Sequence, residues 1–252
     1  MRKLIPALVA TAACVAAVPI AHAGQANVDA NGNVLMLDGA FHQALTSGKS
    51  FKRPVTLELH TLFGNVYGNP TPAEGSDLTF GLPKGTTINA SKFPGCPIPP
   101  SDATAGDDSR CPSGSQIGSG TALVDARKSG LGSSNEGTIK IFNGLPHNGN
   151  PTVIFMAKVH VGDVTIPAEI DLDVLKGPKL VEFDPQGRPR GMASFDITST
   201  DLTVGKTIKV KGKTVGYFAA PATCKNTWAF SLTLTRDSGT QTAKDTAPCV
   251  LG

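Results

Sequence analysis

Hydrophobic and polar residues alternate with a period of two along much of the chain, the pattern of strands that bury one face. The clearest run is 164–174. Val164, Ile166, Ala168, Ile170, Leu172 and Val174 form one side; Thr165, Pro167, Glu169, Asp171 and Asp173 form the other. Pro167 has no N–H to give to a ladder, which places it at an edge or a bulge. In 54–67, Val55, Leu57, Leu59, Thr61 and Phe63 alternate with Thr56, Glu58, His60 and Leu62. Near the C-terminus Trp228, Phe230, Leu232 and Leu234 alternate with Ser231, Thr233 and Thr235, and Asp237-Ser238-Gly239 turns the chain back into a hairpin. One run differs: 152–161 is nearly continuously apolar, as in a strand covered on both faces. Shorter strands are predicted at 34–37, 77–82, 117–125, 138–143 and 193–198, and a hairpin at 207–218 turning at Gly212-Lys213. About ten short strands with turn residues between them predict an all-β fold, a β-sandwich of the jelly-roll or immunoglobulin-like kind. No linker demands a second domain, so residues 24–252 are expected to form one.

Composition agrees, with 28 glycines and 19 prolines but one tryptophan and two tyrosines. The N-terminus adds a location. Arg2 and Lys3 precede an uncharged apolar stretch, and Ala21-His22-Ala23 is a small-x-small cleavage site, so residues 1–23 are expected to be a signal peptide. Cleavage there leaves 229 residues and lowers the formal charge from +3 to +1. A secreted or cell-envelope location follows, with no transmembrane segment after cleavage. Nucleic acid is not an expected partner, because its binding needs a clustered basic surface.

Four cysteines follow the leader: Cys96, Cys111, Cys224 and Cys249. In an exported chain an even number reads as disulfides. Of three possible pairings, sequence order favours Cys96–Cys111 with Cys224–Cys249. Zinc would want CxxC or nearby histidines, which are missing, so neither metal nor cofactor is expected.

The candidate chemistry is a stripe of carboxylates. Glu169, Asp171 and Asp173 resemble the E-x-D-x-E motif of laminarinase-type jelly-roll glycoside hydrolases, in which the outer acids are nucleophile and general acid/base. By that resemblance Glu169 is the nucleophile, Asp171 its helper and Asp173 the acid. Asp173 is one methylene short of the pattern, the upstream tryptophan is missing, and few aromatics exist to stack sugar rings. The competing expectation is a solvated strand face. Lys206, Lys209, Lys211 and Lys213 make a basic stripe that could touch an anionic envelope polymer. If the two strands were sheet neighbours, Lys209, Lys211 and Lys213 could instead pair with the three acids as a cross-strand ladder.

Cys111-Pro112-Ser113-Gly114-Ser115-Gln116-Ile117-Gly118-Ser119-Gly120-Thr121-Ala122, Ile141-Phe142-Asn143-Gly144 and a C-terminal Cys224…Trp228…Cys249 resemble a group of exported actinobacterial β-proteins of unknown function. The resemblance spans roughly Phe80 to the C-terminus. It implies export, a β fold and disulfides, and assigns no catalytic residue. The leading expectation is a non-catalytic envelope or extracellular domain, binding or structural, with a cell-envelope polymer or glycan as possible partner. The alternative is a glycan-active hydrolase using Glu169 and Asp173.

Overall fold

A computed structural model describes residues 24–43, 53–67, 77–97, 107–127, 132, 134–161, 164–183, 196–224, 226–236 and 239–249. The leader at 1–23, the first two residues of the turn expected at 237–239 and the start of the strand expected at 193–198 lie outside the described residues.

Among the described residues sixteen strands follow in chain order. The first five are β1 (Gln25–Val28), β2 (Asn33–Gln43), β3 (Pro54–Asn65), β4 (Asp77–Gly81) and β5 (Thr87–Ile88). Next come β6 (Gln116–Asp125), β7 (Asn135–Asn143), β8 (Thr152–Val161), β9 (Val164–Leu175), β10 (Lys179–Phe183) and β11 (Asp196–Val204). The last are β12 (Thr207–Val210), β13 (Lys213–Gly216), β14 (Phe218–Ala219), β15 (Thr227–Arg236) and β16 (Gly239–Pro248). Fourteen of them form one sheet in the order β1-β2-β3-β11-β6-β7-β8-β9-β10-β4-β15-β16, with β14 joining β3 to β5 at one end.

The all-β expectation therefore holds, but the architecture is a nearly closed barrel-like sheet rather than two stacked sheets. The reason is strand order: β11 inserts between β3 and β6, and β4 between β10 and β15, so hydrogen bonding runs unbroken from β1 to β16. The two ends of the sheet meet at a seam closed by side chains. Asp245 of β16 accepts the backbone N–H of Gly39 at 2.8 Å, just past the end of β1. Gln241 donates to the carbonyls of Asn27 and Asn33 at 2.9 Å each. Phe230 lies against Gly39, where a Cβ would come within 2.8 Å of its ring.

Alternation decides what fills the interior. Leu35, Leu37, Leu57, Leu59, Ile139, Ile141, Val153, Leu172, Leu202, Phe230, Leu232 and Leu234 point inward and belong to one buried cluster. Each such side chain contributes about 1.5–3 kcal/mol by leaving water. Phe41 meets Trp228 and Phe230 edge to face, with ring centroids 5.3 Å apart in both pairs. The glycines of the 118–120 run have a packing reason: a Cβ at Gly118 or Gly120 would collide with the backbone carbonyls of Thr203 or Asp201 on β11. Among the described residues no helix is long and apolar enough to cross a membrane.

The proline in β9 sits where its missing N–H is tolerated. Pro167 pairs with Lys158 of β8, while the ladder to β10 stops at Asp171, leaving a neighbour on one side only among the described residues.

One end of the barrel is closed by straps. The segment 82–97 and the segment 205–222 interlock there: β5 pairs with β14, the Asn89 N–H donates to Tyr217 O at 2.8 Å, and Phe93 packs edge to face on Tyr217. From this end projects the hairpin β12–β13, a separate two-stranded sheet. Its turn is Lys211-Gly212, one residue earlier than the sequence suggests. Both have positive φ (49° and 78°), as a two-residue hairpin turn with the right twist requires.

Candidate functional site

The outward face of β7, β8 and β9 gathers the candidate chemistry. Register places Met156 beside Glu169, Ile154 beside Asp171 and Thr152 beside Asp173. Ile154 and Met156 are the outward half of the apolar run in β8, and they bury on Phe142 and Cys96 as a second small core outside the barrel. Coverage of β8 on both faces is thus borne out.

The cover is anchored by the cysteine loop. Cys96 and Cys111 are bonded, with Cα atoms 4.5 Å apart. Cys96 extends the end of β7: its N–H donates to Asn143 O at 2.7 Å, and its carbonyl accepts from Leu145 at 3.1 Å. Asp108, in the short 3-10 turn Asp108–Arg110, bridges Lys140 of β7 and Lys158 of β8, the latter at 3.0 Å. The hydrogen bond from Lys140 holds the Asp108 carboxyl below its usual range, with Lys158 adding to the effect against some desolvation.

Burial overturns the expectation of a solvated face at Glu169 and Asp171. Glu169 is 1% exposed and Asp171 3%, beside the buried outward residues Met156 and Ile154 of β8. Asp173, nearer the margin, pairs with His147 at 3.0 Å. That histidine sits on the tight turn between β7 and β8, and its pairing was not legible in the sequence. The three acids share a side but occupy distinct environments. Retaining hydrolysis needs both outer carboxylates open to a sugar ring, and Glu169 is closed off.

The acid–lysine ladder is overturned as well. β9 lies between β8 and β10, whereas Lys209 and Lys213 belong to the detached hairpin. Nor do the lysines share a face. Lys209 is opposite Thr214, to which it donates at 2.6 Å, and Lys213 is opposite Val210, on the other side. Lys211 occupies the turn between them. Lys206 is engaged at the base, donating to the carbonyls of Ser113 and Gly114 at 3.2 and 3.1 Å.

Both disulfides pair as sequence order favours. Cys224 and Cys249, with Cα atoms 6.2 Å apart, close the open end of the β15–β16 hairpin, whose register runs from Thr227↔Pro248 to Arg236↔Gly239.

Asn143 is the residue the sequence reading missed. Its side chain is buried and donates to the carbonyls of Ala90, Phe93 and Pro94 at 3.0–3.2 Å. Its Oδ1 accepts the Tyr217 hydroxyl at 3.1 Å. Burial pushes the Tyr217 phenol well above the ordinary tyrosine range, so it stays a neutral donor. The signal was available, since Asn143 falls in the inward phase of Ile139 and Ile141, where a polar residue needs partners.

Elsewhere, His42 pairs with Glu58 at 2.9 Å and His60 with Asp201 on the outer face of β2, β3 and β11. A polar groove of about 440 Å³ follows the seam between β1 and β16. Among the described residues no group of three or more His, Cys, Asp or Glu side chains could hold a metal ion. No family model, curated protein or solved structure matches the chain.

Proposed function

We propose that the protein is an exported, non-catalytic β domain of the envelope or extracellular space, acting as a binding or structural module. The observation that carries this reading is the burial of Glu169 and Asp171 beside Met156 and Ile154 of the small outer core. It supports a packing role for Glu169 and Asp171. The two disulfides suit an oxidising compartment.

The test uses purified, disulfide-intact protein on a panel of β-glucans beside Glu169→Gln. No turnover above that of the variant is expected; turnover abolished by Glu169→Gln would establish the hydrolase instead. Export has its own readout. The chain recovered outside the cytoplasm should begin at Gly24, and retention of the full leader inside the cell would refute that part.

A further inference from the structure

The strapped end of the barrel carries a concentration of positive charge. The interlocked segments 82–97 and 205–222 contain Lys84, Lys92, Lys206, Lys209, Lys211 and Lys213, and neither segment holds an aspartate or a glutamate. Lys84, Lys92, Lys209, Lys211 and Lys213 are exposed. Three of them surround the β12–β13 hairpin: Lys209 on one face, Lys213 on the other and Lys211 at the tip. A chain with a formal charge near zero overall is therefore strongly cationic at one end. Protection of a sheet edge does not explain this, because the hairpin is no edge of the main sheet.

We infer that this end binds a linear polymer of closely spaced phosphate groups. The inference rests on the export reading, because it takes the partner to be an envelope polymer. The charges ring a projecting finger and continue onto the straps rather than converging on a pocket, which suits a chain or mesh that surrounds the finger. Neither segment contains arginine, so two-pronged recognition of single carboxylate or phosphate groups is missing and the charge is carried by lysine alone. Lysine ammonium groups act as point charges on phosphate, and affinity follows linear charge density. Two other partners fit less well. The large apolar side chains exposed among the described residues are Val28, Leu62, Val66, Tyr67, Leu123, Leu145 and Leu175, none of them in these segments, so the end has no anchor for a bilayer. The aromatics of the straps, Phe93, Tyr217 and Phe218, are buried, leaving no platform on which bases could stack.

The experiment measures binding of disulfide-intact protein to long-chain inorganic polyphosphate across a salt series. Neutralising about four phosphates makes affinity fall about 50-fold between 50 and 200 mM salt. Lys209→Gln with Lys211→Gln and Lys213→Gln should weaken binding at least about tenfold at the lower salt and flatten the salt slope. A charge-matched control, Lys176→Gln with Lys179→Gln and Lys244→Gln, removes exposed lysines elsewhere and should stay within about twofold of the parent. Circular dichroism confirms that each variant is folded, and Lys84→Gln with Lys92→Gln tests the straps without touching the hairpin. Equal weakening by both triple variants overturns the site. Equal binding of charge-matched poly-L-glutamate overturns the phosphate assignment. Tighter binding to phosphatidylglycerol vesicles or to single-stranded DNA overturns the polymer class. An exported protein that ignores polyphosphate refutes this inference alone, and a polyphosphate binder that keeps its leader in the cytoplasm refutes the export reading alone.

Discussion

Replacing Asn143 by alanine should loosen the strapped end and cost more than a typical interior substitution. The side chain donates to three carbonyls of the 82–97 strap and accepts the Tyr217 hydroxyl, all at 3.0–3.2 Å. Its two N–H bonds are shared among the three carbonyls. Alanine leaves buried acceptors and one buried donor without their partner, each costing about 1–3 kcal/mol where water cannot reach. Relaxation of the strap recovers part of that, so the expected loss is about 3–5 kcal/mol. For a domain of this size that lowers Tm by about 6–20 °C. The readout is built in: Trp228 is the only tryptophan and is 3% exposed, so its fluorescence follows urea or thermal unfolding. Tyr217→Phe removes one bond of the set, and the double variant should show about 1 kcal/mol of coupling with Asn143→Ala. A cost for Asn143→Ala below about 1 kcal/mol, or strictly additive effects, would refute the role assigned to this side chain.

Two further outcomes follow from contacts described above. Removing the Cys224–Cys249 bridge with paired serines should cost about 3.5 kcal/mol from its sequence separation of 25, with Cys96–Cys111 nearer 3 kcal/mol; urea midpoints of the two variants check both, and peptide mapping that finds other pairings would refute the framework. The Asp108 carboxyl, held below its ordinary range chiefly by Lys140, lends stability that is present above about pH 4 and is lost as pH falls through its folded value. Urea midpoints measured from pH 6 to pH 2.5 should therefore fall less steeply for Asp108→Asn than for the parent, and identical slopes would show that the bridge is not formed in solution.

What was legible in the sequence was local. Alternation located β3, β9 and the β15–β16 hairpin, because a strand with one buried face writes its period into adjacent residues, and a continuous apolar run located β8. The cysteine pairing followed for the same reason, since both bridges join neighbours in sequence. Strand order is where the sandwich expectation ran out, since the large sheet is nearly closed and barrel-like, not clearly a sandwich. The places of β11 beside β3 and of β4 beside β15 depend on contacts between segments more than a hundred residues apart, and alternation carries no information about neighbours. The carboxylate stripe was misread through a related gap. Its orientation away from the barrel was right, but an outward face counts as solvated only if nothing lies over it. The evidence for a cover sat on β8, where Ile154 and Met156 point the same way as Asp171 and Glu169. Asn143 was hidden differently: a single polar residue in an apolar phase looks like a strand end until its partners are known.

The seam has a consequence for how the chain reaches this state. Asp245 meets Gly39 across 206 residues, and Gln241 meets Asn27 across 214, so the contacts that shut the barrel join its first described strands to its last. A chain emerging N-terminus first makes β1 and β2 early and must keep the edge of β2 open until β16 arrives. Closure at such separation carries the largest loop entropy in the molecule and makes folding slow relative to that of locally connected proteins. During that interval the N–H of Gly39 and the carbonyls of Asn27 and Asn33 are a template for any passing strand. Truncation before β16 should therefore produce an aggregating species rather than a smaller barrel, because the last ten-residue strand is also the lid on the first edge.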